Sequence, residues 1–544
     1  MSAVKWSVPA LAVMLAACGG DSSSDVFTPS KKSETGVFTD SAVAGIFYRT
    51  ESRSGYTNAL GEYRYQEGET VTFSIGGTEL PPVPATGRIT PADMAVAGQP
   101  DTVTNILRLL QTLDEDGNPD NGISIPASAH AGFTGVELDV TGAAATFEAE
   151  AELQIGAPLV SAAQAEAHFE ASQQADLRGS WIFVEPAGES SNGLGPNGEE
   201  VNVLTFLDGG RYIVVHKYGN DDQGAATAEW GTYSWDTASG AIAINMVGQS
   251  DSNGGLNHMP AGDTIHLVGN ELHLGSEAGA ATPFQRVADD RNPNVGGWLL
   301  DGADFVVLTI LDNDEYVIAH SNNTEAYTGD SLVAVTSEWG RYSLSGGTFE
   351  VTAVESETDG NGGFYDAEAS GSEGLVASFE NTRYGDLVFE PVGGEPFALR
   401  RIGRFAVELS DLVDNKSTVV VERVGGVFTA GQAKLFEFDL VGEGTVAHVD
   451  LGAGGSGDVT FAPGTLDQEV GTIVGSWSAY PGTGRLAFRE TMGPGGTGSW
   501  VFAPIRTSDG SEKALVDFKH IEGPTINDAG FFISELRDVS PPAP

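Results

Sequence analysis

Thiols are almost absent from this chain. Cys18 is the single cysteine in 544 residues, so an internal disulfide and a Cys-based zinc or iron–sulfur site are both excluded. Cations are scarce as well, with 27 Lys+Arg against 76 Asp+Glu and a formal net charge of −49. Such a surface repels nucleic acid and anionic lipid and favours solubility. Beyond the first 18 residues no stretch approaches the ~20 consecutive apolar residues that a membrane-spanning helix needs. The usual catalytic signatures are missing too. There is no Gly-x-Ser-x-Gly elbow, no His-x-x-x-His or His-Glu-x-x-His, and no glycine-rich phosphate loop followed by Lys-Ser/Thr. With 76 acidic residues, close carboxylate pairs arise by chance and identify no glycosidase. These absences predict a protein that is not an enzyme.

What is present begins with Met1–Cys18. Lys5 provides a charged start, Val8 to Leu15 an apolar run, and Leu15-Ala16-Ala17-Cys18 a small-residue end, which is the layout of a secretory signal peptide. The Leu-Ala-Ala-Cys end resembles a bacterial lipobox. The resemblance implies cleavage before Cys18, leaving residues 1–17 as the signal peptide, and lipid on the Cys18 thiol. The plain alternative is an ordinary secretory signal with a chance cysteine. In the sorting rule this resemblance brings, aspartate after the cysteine retains a lipoprotein in the inner membrane. Gly19 stands there, which implies the outer membrane of a Gram-negative bacterium, with the periplasmic or extracellular face left open.

Composition changes along the chain predict its organisation. Residues 18–39, with Gly-Gly-Asp-Ser-Ser-Ser and Lys31-Lys32, read as a flexible tether. Residues 40–89 alternate with period 2 in Val43–Tyr48, Gly61–Tyr65 and Val71–Ile75 and read as a small β-sandwich module. Gly55 to Tyr63 followed by Gly68 to Val71 resembles the carboxypeptidase-regulatory or SdrB-like modules of bacterial surface proteins, which implies a structural spacer. Residues 90–176 read as a helical subdomain. Thr90-Pro91-Ala92-Asp93 opens a helix, Val103, Ile106, Leu107, Leu110 and Leu113 form one apolar stripe, and an Ala/Glu-rich run follows from Ala143.

From residue 177 the chain repeats. Gly179-Ser180-Trp181 answers to Gly297-Trp298, Val203–Asp208 to Val307–Asp312, Tyr212–His216 to Tyr316–His320, and Glu229-Trp230-Gly231 to Glu338-Trp339-Gly340. Asp251-Ser-Asn253-Gly-Gly255 likewise answers to Asp359-Gly-Asn361-Gly-Gly363. The period is the size of a domain, which predicts two all-β units, residues 177–290 and 291–402, each an antiparallel barrel or sandwich. Residues 403–540 read as a diverged β domain. The predicted fold class is therefore mainly β: tandem antiparallel barrel or sandwich domains with a small helical subdomain near the N-terminus.

Candidate sites are few. Asp114, Asp116, Asn118 and Asp120 place oxygen donors at alternate positions of a turn, which is what Ca²⁺ needs. The segment resembles the start of an EF-hand or dockerin loop. It departs from that pattern with Gly117 at the fourth place, Pro119 at the sixth and no glutamate at the twelfth; the alternative is an Asx-rich turn. The net acidity has the same two readings, salt adaptation and divalent-cation binding. The Asp-x-Asn-Gly-Gly repeats read as hairpin turns. His216 and His320 share a strand face with Tyr212 and Tyr316; they read as strand-closing structural residues, or as ligand contacts in a barrel mouth. Trp181, Trp230, Trp235, Trp298 and Trp339 suit core packing or an apolar or sugar ligand.

The lipobox and the tandem repeats together resemble multi-domain bacterial outer-membrane lipoproteins of the adhesin-like kind. That resemblance implies a lipid-anchored envelope or cell-surface protein for adhesion or binding. Its partners would be the membrane, through the N-terminal lipid, and a surface, protein or apolar ligand. The alternative is a carrier. A Gly-x-Trp start before a β-meander loosely resembles lipocalin-type barrels, which implies a hollow interior holding a lipid or hydrocarbon. An internal apolar cavity of several hundred Å³ separates the two.

Overall fold

The computed structural model describes residues 33–119, 122–184, 201–217, 226–250, 255–275, 282–289, 291–311, 314–322, 335–358, 363–366, 373–410, 416–425, 434–439, 446–450, 456–461, 472–480, 483–492, 496–506, 512–522 and 525–538. The fold is mainly β, with antiparallel barrels in tandem and four α-helices near the N-terminus. Among the described residues no helix is long and apolar enough to cross a membrane.

The N-terminal unit joins the strand-rich and helical segments around one core. Strand Ser33–Phe38 pairs antiparallel with Glu62–Gln66 and parallel with Arg88–Ile89. Phe47–Arg49 lies between Ser54–Tyr56 and Thr70–Ile75 in a second sheet. Phe38 of the first sheet stacks on Phe73 of the second at 4.3 Å. Helix α1 (Thr102–Thr112) buries Ile106, Leu109 and Leu110 in the same cluster, the short α2 (Ala127–Gly132) follows, and α3 (Ala144–Ile155) adds Phe147 and Ala151. Two expectations are corrected here. Residues 33–38 belong to a strand rather than to the tether, because Gly36-Val37-Phe38 alternates and a Cβ on Gly36 would lie 2.5 Å from the Tyr63 ring. Thr90 caps only a single 3₁₀ turn, Pro91–Met94, and the helix proper starts at Thr102.

Helix α4 (Ala162–Leu177) runs from a Ser161–Gln164 capping box to the first repeat. On its way it packs His168 3.6 Å from the fully buried Asp40, whose other oxygen accepts from Gln111 at 2.8 Å. Burial pushes the Asp40 carboxyl up to about 6, against the pull of His168 and Gln111.

The first repeat is an eight-strand meander: Gly179–Val184, Val201–Leu207, Arg211–His216, Thr227–Trp235, Ile242–Gln249, Thr264–Val268, Glu271–Gly275 and Thr282–Arg286. Its last strand pairs with its first at Trp181 and Arg286, and a lone Ala241–Thr264 bridge joins its fifth and sixth strands. The second repeat follows the same path: Gly296–Leu300, Val306–Ile310, Glu315–His320, Thr336–Ser345, Thr348–Glu357, Val376–Asn381, Asp386–Pro391 and Phe397–Arg401, closing into a full barrel. Local details repeat with it. The Trp181 indole donates to the Leu177 carbonyl at 3.0 Å and the Trp298 indole to the Asn294 carbonyl at 2.9 Å. Arg286 covers the Trp181 ring and Arg401 the Trp298 ring.

The two barrels meet through matched outer faces. Val203, Ile213 and Val215 of the first pack in one cluster with Val307, Val317 and Ala319 of the second. First strand touches first, third touches third and fourth touches fourth, an internal approximation to a two-fold contact. Strands such as Arg211–His216 are therefore covered on both faces, one by the barrel interior and one by the neighbouring barrel. That is why Tyr-Ile-Val-Val reads as a continuous apolar run rather than an alternation.

The tail repeats the architecture. Lys434–Asp439, Val446–Asp450, Ser456–Phe461, Thr472–Tyr480, Arg485–Met492, Gly496–Arg506, Glu512–Glu522 and Thr525–Asp538 pair in succession, and the last pairs back on the first, completing another circuit of eight. A hairpin of Arg404–Ser410 and Lys416–Arg423 leads into it. Buried arginines lock the units together. Arg400 of the second barrel reaches Asp208 of the first at 3.0 Å and its own Asp301 at 3.0 Å. Arg178 pairs with Glu422 of the hairpin at 2.6 Å, and Arg423 with Asp386 at 2.8 Å. Asp176 takes Arg88 from the N-terminal unit and Arg404 from the hairpin. Although burial raises its pKa, those arginines hold it below the usual carboxylate range.

Candidate functional site

The repeated Glu-Trp-Gly sits on the fourth strand of each barrel, where the chain bulges after the tryptophan. The glutamate points inward. Tyr316 Oη donates to Glu338 Oε1 at 2.5 Å, and Tyr212 Oη to Glu229 Oε1 at 2.6 Å. The tryptophan points outward, to the contact between barrels. Trp339 is buried there, donates to Glu315 at 3.2 Å and lies beneath Lys217 of the first barrel. Trp230 is half-buried and meets Phe305 of the second barrel edge-on at 5.2 Å. The matched positions are equivalent, as the repeat predicts. They belong to the seam, while Trp181, Trp235 and Trp298 fill the interiors. The glycine makes room: a Cβ on Gly340 would lie 2.5 Å from the Tyr316 hydroxyl.

A segment between the fifth and sixth strands plugs each barrel and supplies the second donor to its glutamate. The backbone N–H of Asn257 donates to Glu229 at 3.0 Å, and that of Phe364 to Glu338 at 2.9 Å. Burial raises the Glu229 carboxyl against these bonds. The plugs begin at the Asp-x-Asn-Gly-Gly repeats, whose first four residues lie outside the described residues in both copies. The hairpin-turn reading of those residues therefore lies outside the described residues. Fourteen residues separate Gln249 from Thr264, and Gly255 within them lets the chain pass the buried glutamate, since a Cβ there would lie 2.4 Å from the Glu229 carboxylate.

Beside the second plug a pocket of about 430 Å³ opens at one end of the barrel. Its walls come from inward-facing strand residues such as Leu300, Val306, Ile318 and Leu399, and from the plug residues Phe364 and Leu375. His320 is the one side chain with a polar atom among its described lining residues. Its Nε2 is buried without a hydrogen-bond partner. Burial with no compensating charge pushes the imidazole down to about 4, so it is neutral at pH 7. His216 is buried at the equivalent register position, where Asn202 and Thr227 flank it as Val306 and Thr336 flank His320.

The other predicted positions lie apart from this pocket. Cys18 and Asp120 fall outside the described residues. Asp114 is buried, accepts from Ser124 N at 2.8 Å, and is pushed up to about 6 mainly by burial and also by Asp116. Asp116 accepts from Asn118 N at 2.9 Å. Asp116 and Asn118 thus form an Asx-type turn, and among the described residues no group of three His, Cys, Asp or Glu side chains is placed to hold a metal ion. Sequence reasoning missed the inward Tyr–Glu pair. The signal was there: tyrosine and glutamate recur together in both repeats, and a glutamate inside an apolar strand needs a donor. In comparison with known proteins, the chain matches no protein-family model and no curated protein sequence.

Proposed function

We propose that the chain is a non-catalytic binding protein of the bacterial envelope whose second barrel carries a small apolar ligand. The observation that supports this most is the pocket of about 430 Å³ whose described lining side chains are apolar apart from one imidazole. Small-ligand sites are concave, mostly apolar and furnished with few polar groups, and occur in the mouths of β-barrels. Adhesion through an outer face has less behind it. Among the described residues the exposed large apolar side chains include Tyr56, Leu153 and Val247, which come from different elements. The leader supports lipid anchoring at Cys18 and, with Gly19, the outer membrane.

N-phenyl-1-naphthylamine, whose fluorescence rises in apolar surroundings, tests the carrier. Saturable enhancement at one site per chain is expected, and Val306→Trp should abolish it while circular dichroism stays unchanged. Enhancement that never saturates, or that Val306→Trp leaves intact, overturns the reading. Fractionation tests the anchor: the wild type should sediment with outer membrane and Cys18→Ala should be released from it.

A further inference from the structure

Resting on the carrier reading, we infer that the second-barrel pocket selects a neutral amphiphile of the alcohol class, an apolar body bearing one uncharged hydroxyl, and that His320 Nε2 is the group that recognises the hydroxyl.

The walls argue for the apolar body. Leu300, Val306, Ile318, Leu375 and Leu399 have nothing to offer a polar group, so only hydrocarbon or aromatic carbon gains by lying against them. Among the described lining residues His320 alone has a side chain with a polar atom. His320 Nε2 is withdrawn from solvent and has no hydrogen-bond partner. A buried, unsatisfied nitrogen costs stability, and a ligand group that satisfies it recovers that cost only on binding. The gain is specific, because a ligand of the same shape without the group leaves the nitrogen unsatisfied.

Charge decides the class of polar group. The imidazole is neutral at pH 7, so it offers no countercharge to a carboxylate or phosphate. The buried carboxylate of Glu338 is bound to Tyr316 and to the backbone of the plug beside the pocket. Its field and the net charge of −49 both oppose an anionic headgroup. An ammonium gains nothing from the described lining residues, none of which carries a carboxylate. A hydroxyl fits. It donates to an imidazole nitrogen or accepts from it, whichever tautomer is present, and costs little to desolvate compared with an ion.

The test is displacement of N-phenyl-1-naphthylamine from the whole chain by 1-decanol, decane and decanoate. In the wild type, decanol should displace the probe about tenfold more tightly than decane, the worth of one hydrogen bond to a buried group, and decanoate should be weakest. His320→Leu should bring decanol level with decane while leaving decane unchanged. His320→Gln, which restores a hydrogen-bonding group, should recover part of the preference. Equal displacement by decanol and decane in the wild type overturns the inference, as does a decanol preference that survives in His320→Leu. Decanoate binding tighter than decanol overturns the choice of class. If the probe binds but none of the three displaces it, the inference fails and the carrier reading stands; if the probe itself finds no site, the carrier reading fails.

Discussion

The two barrels share strand order, the Trp–Arg cap and the inward Tyr–Glu pair, yet they close differently. In the second, Thr348–Glu350 pairs with Val376–Ser378 and the sheet is continuous. In the first, the described residues meet at that seam through one isolated Ala241–Thr264 bridge, where Ile265 N–H donates to the Gly240 carbonyl. Their plugs also differ: the first inserts Leu256 on a 3₁₀ turn, and the second inserts Phe364 ahead of a small Tyr365–Asp366/Glu373–Gly374 hairpin. Phe364 then joins an aromatic cluster with Phe349, Phe389 and Phe397. The shared features are the strand path, the capped tryptophan and the inward pair, and the divergent ones are the closing seam and the plug. After duplication, the strands kept the container and the plug was free to set its contents.

The largest expected effect tests the seam. Trp339 is buried and hydrogen-bonded, so Trp339→Ala should cost about 3–5 kcal/mol in chemical denaturation. Trp230 is half-buried, and Trp230→Ala should cost roughly half as much. Equal losses would mean that the two outer faces contribute alike and the asymmetry is cosmetic.

Next comes a pH effect specific to the second barrel. The His320 imidazole ionises near 6.5 when unfolded and near 4 in the folded chain. The unfolded state therefore takes up the proton first, and stability present at pH 7 is lost as pH falls from 6.5 toward 4. The loss is on the order of 3 kcal/mol. Asp40 and Asp114 act oppositely, because their folded values are raised to about 6: they contribute stability as pH falls from about 6 toward 4. The difference between wild type and His320→Gln isolates the histidine, and that difference should shrink on acidification. A constant difference from pH 7 to pH 4 would show that the imidazole is not shielded.

A smaller effect tests what the barrels share. Tyr212→Phe and Tyr316→Phe each remove a donor from a buried carboxylate, at about 1–3 kcal/mol. Similar losses in the two variants support a common closing device; a loss in one alone would confine it to that barrel. The smallest effect lies outside both barrels. If Ca²⁺ binds the turn of Asp114, Asp116, Asn118 and Asp120, millimolar calcium should raise Tm by about 1–3 °C beyond sodium chloride of equal ionic strength. Asp114→Ala with Asp116→Ala should remove the difference. Equal action of the two salts would leave the segment as a turn.

Much of this architecture is legible in the sequence, because duplication prints the same residues twice. The paired Tyr–His strands and the Glu-Trp-Gly fall on equivalent elements. The part that was not legible depends on neighbours distant in sequence. Nothing local to Trp230 or Trp339 says that they face another barrel rather than their own interior. Nothing local to the Asp-x-Asn-Gly-Gly motif says that its chain turns inward, since a short hairpin and a long plug begin with the same residues. The pocket was equally hidden. Its walls are ordinary alternating strand residues, and it exists because the Phe364 plug leaves space beside His320. Strand Ser33–Phe38 was lost in the tether because its pairing partners lie 25 and more residues downstream.

The chain has 19 arginines and only eight lysines, and it places many of the arginines where its units join. Arg400, Arg423 and Arg178 are withdrawn from solvent. Dissolved ions screen exposed charges within a Debye length but reach a buried pair poorly. Brine therefore quiets the mutual repulsion of the acidic exterior without slackening the joints. Adding salt should tighten the molecule as a whole, so that in seawater its units ride together as one stiff piece, and in fresh water the strain falls on the skin before the seams.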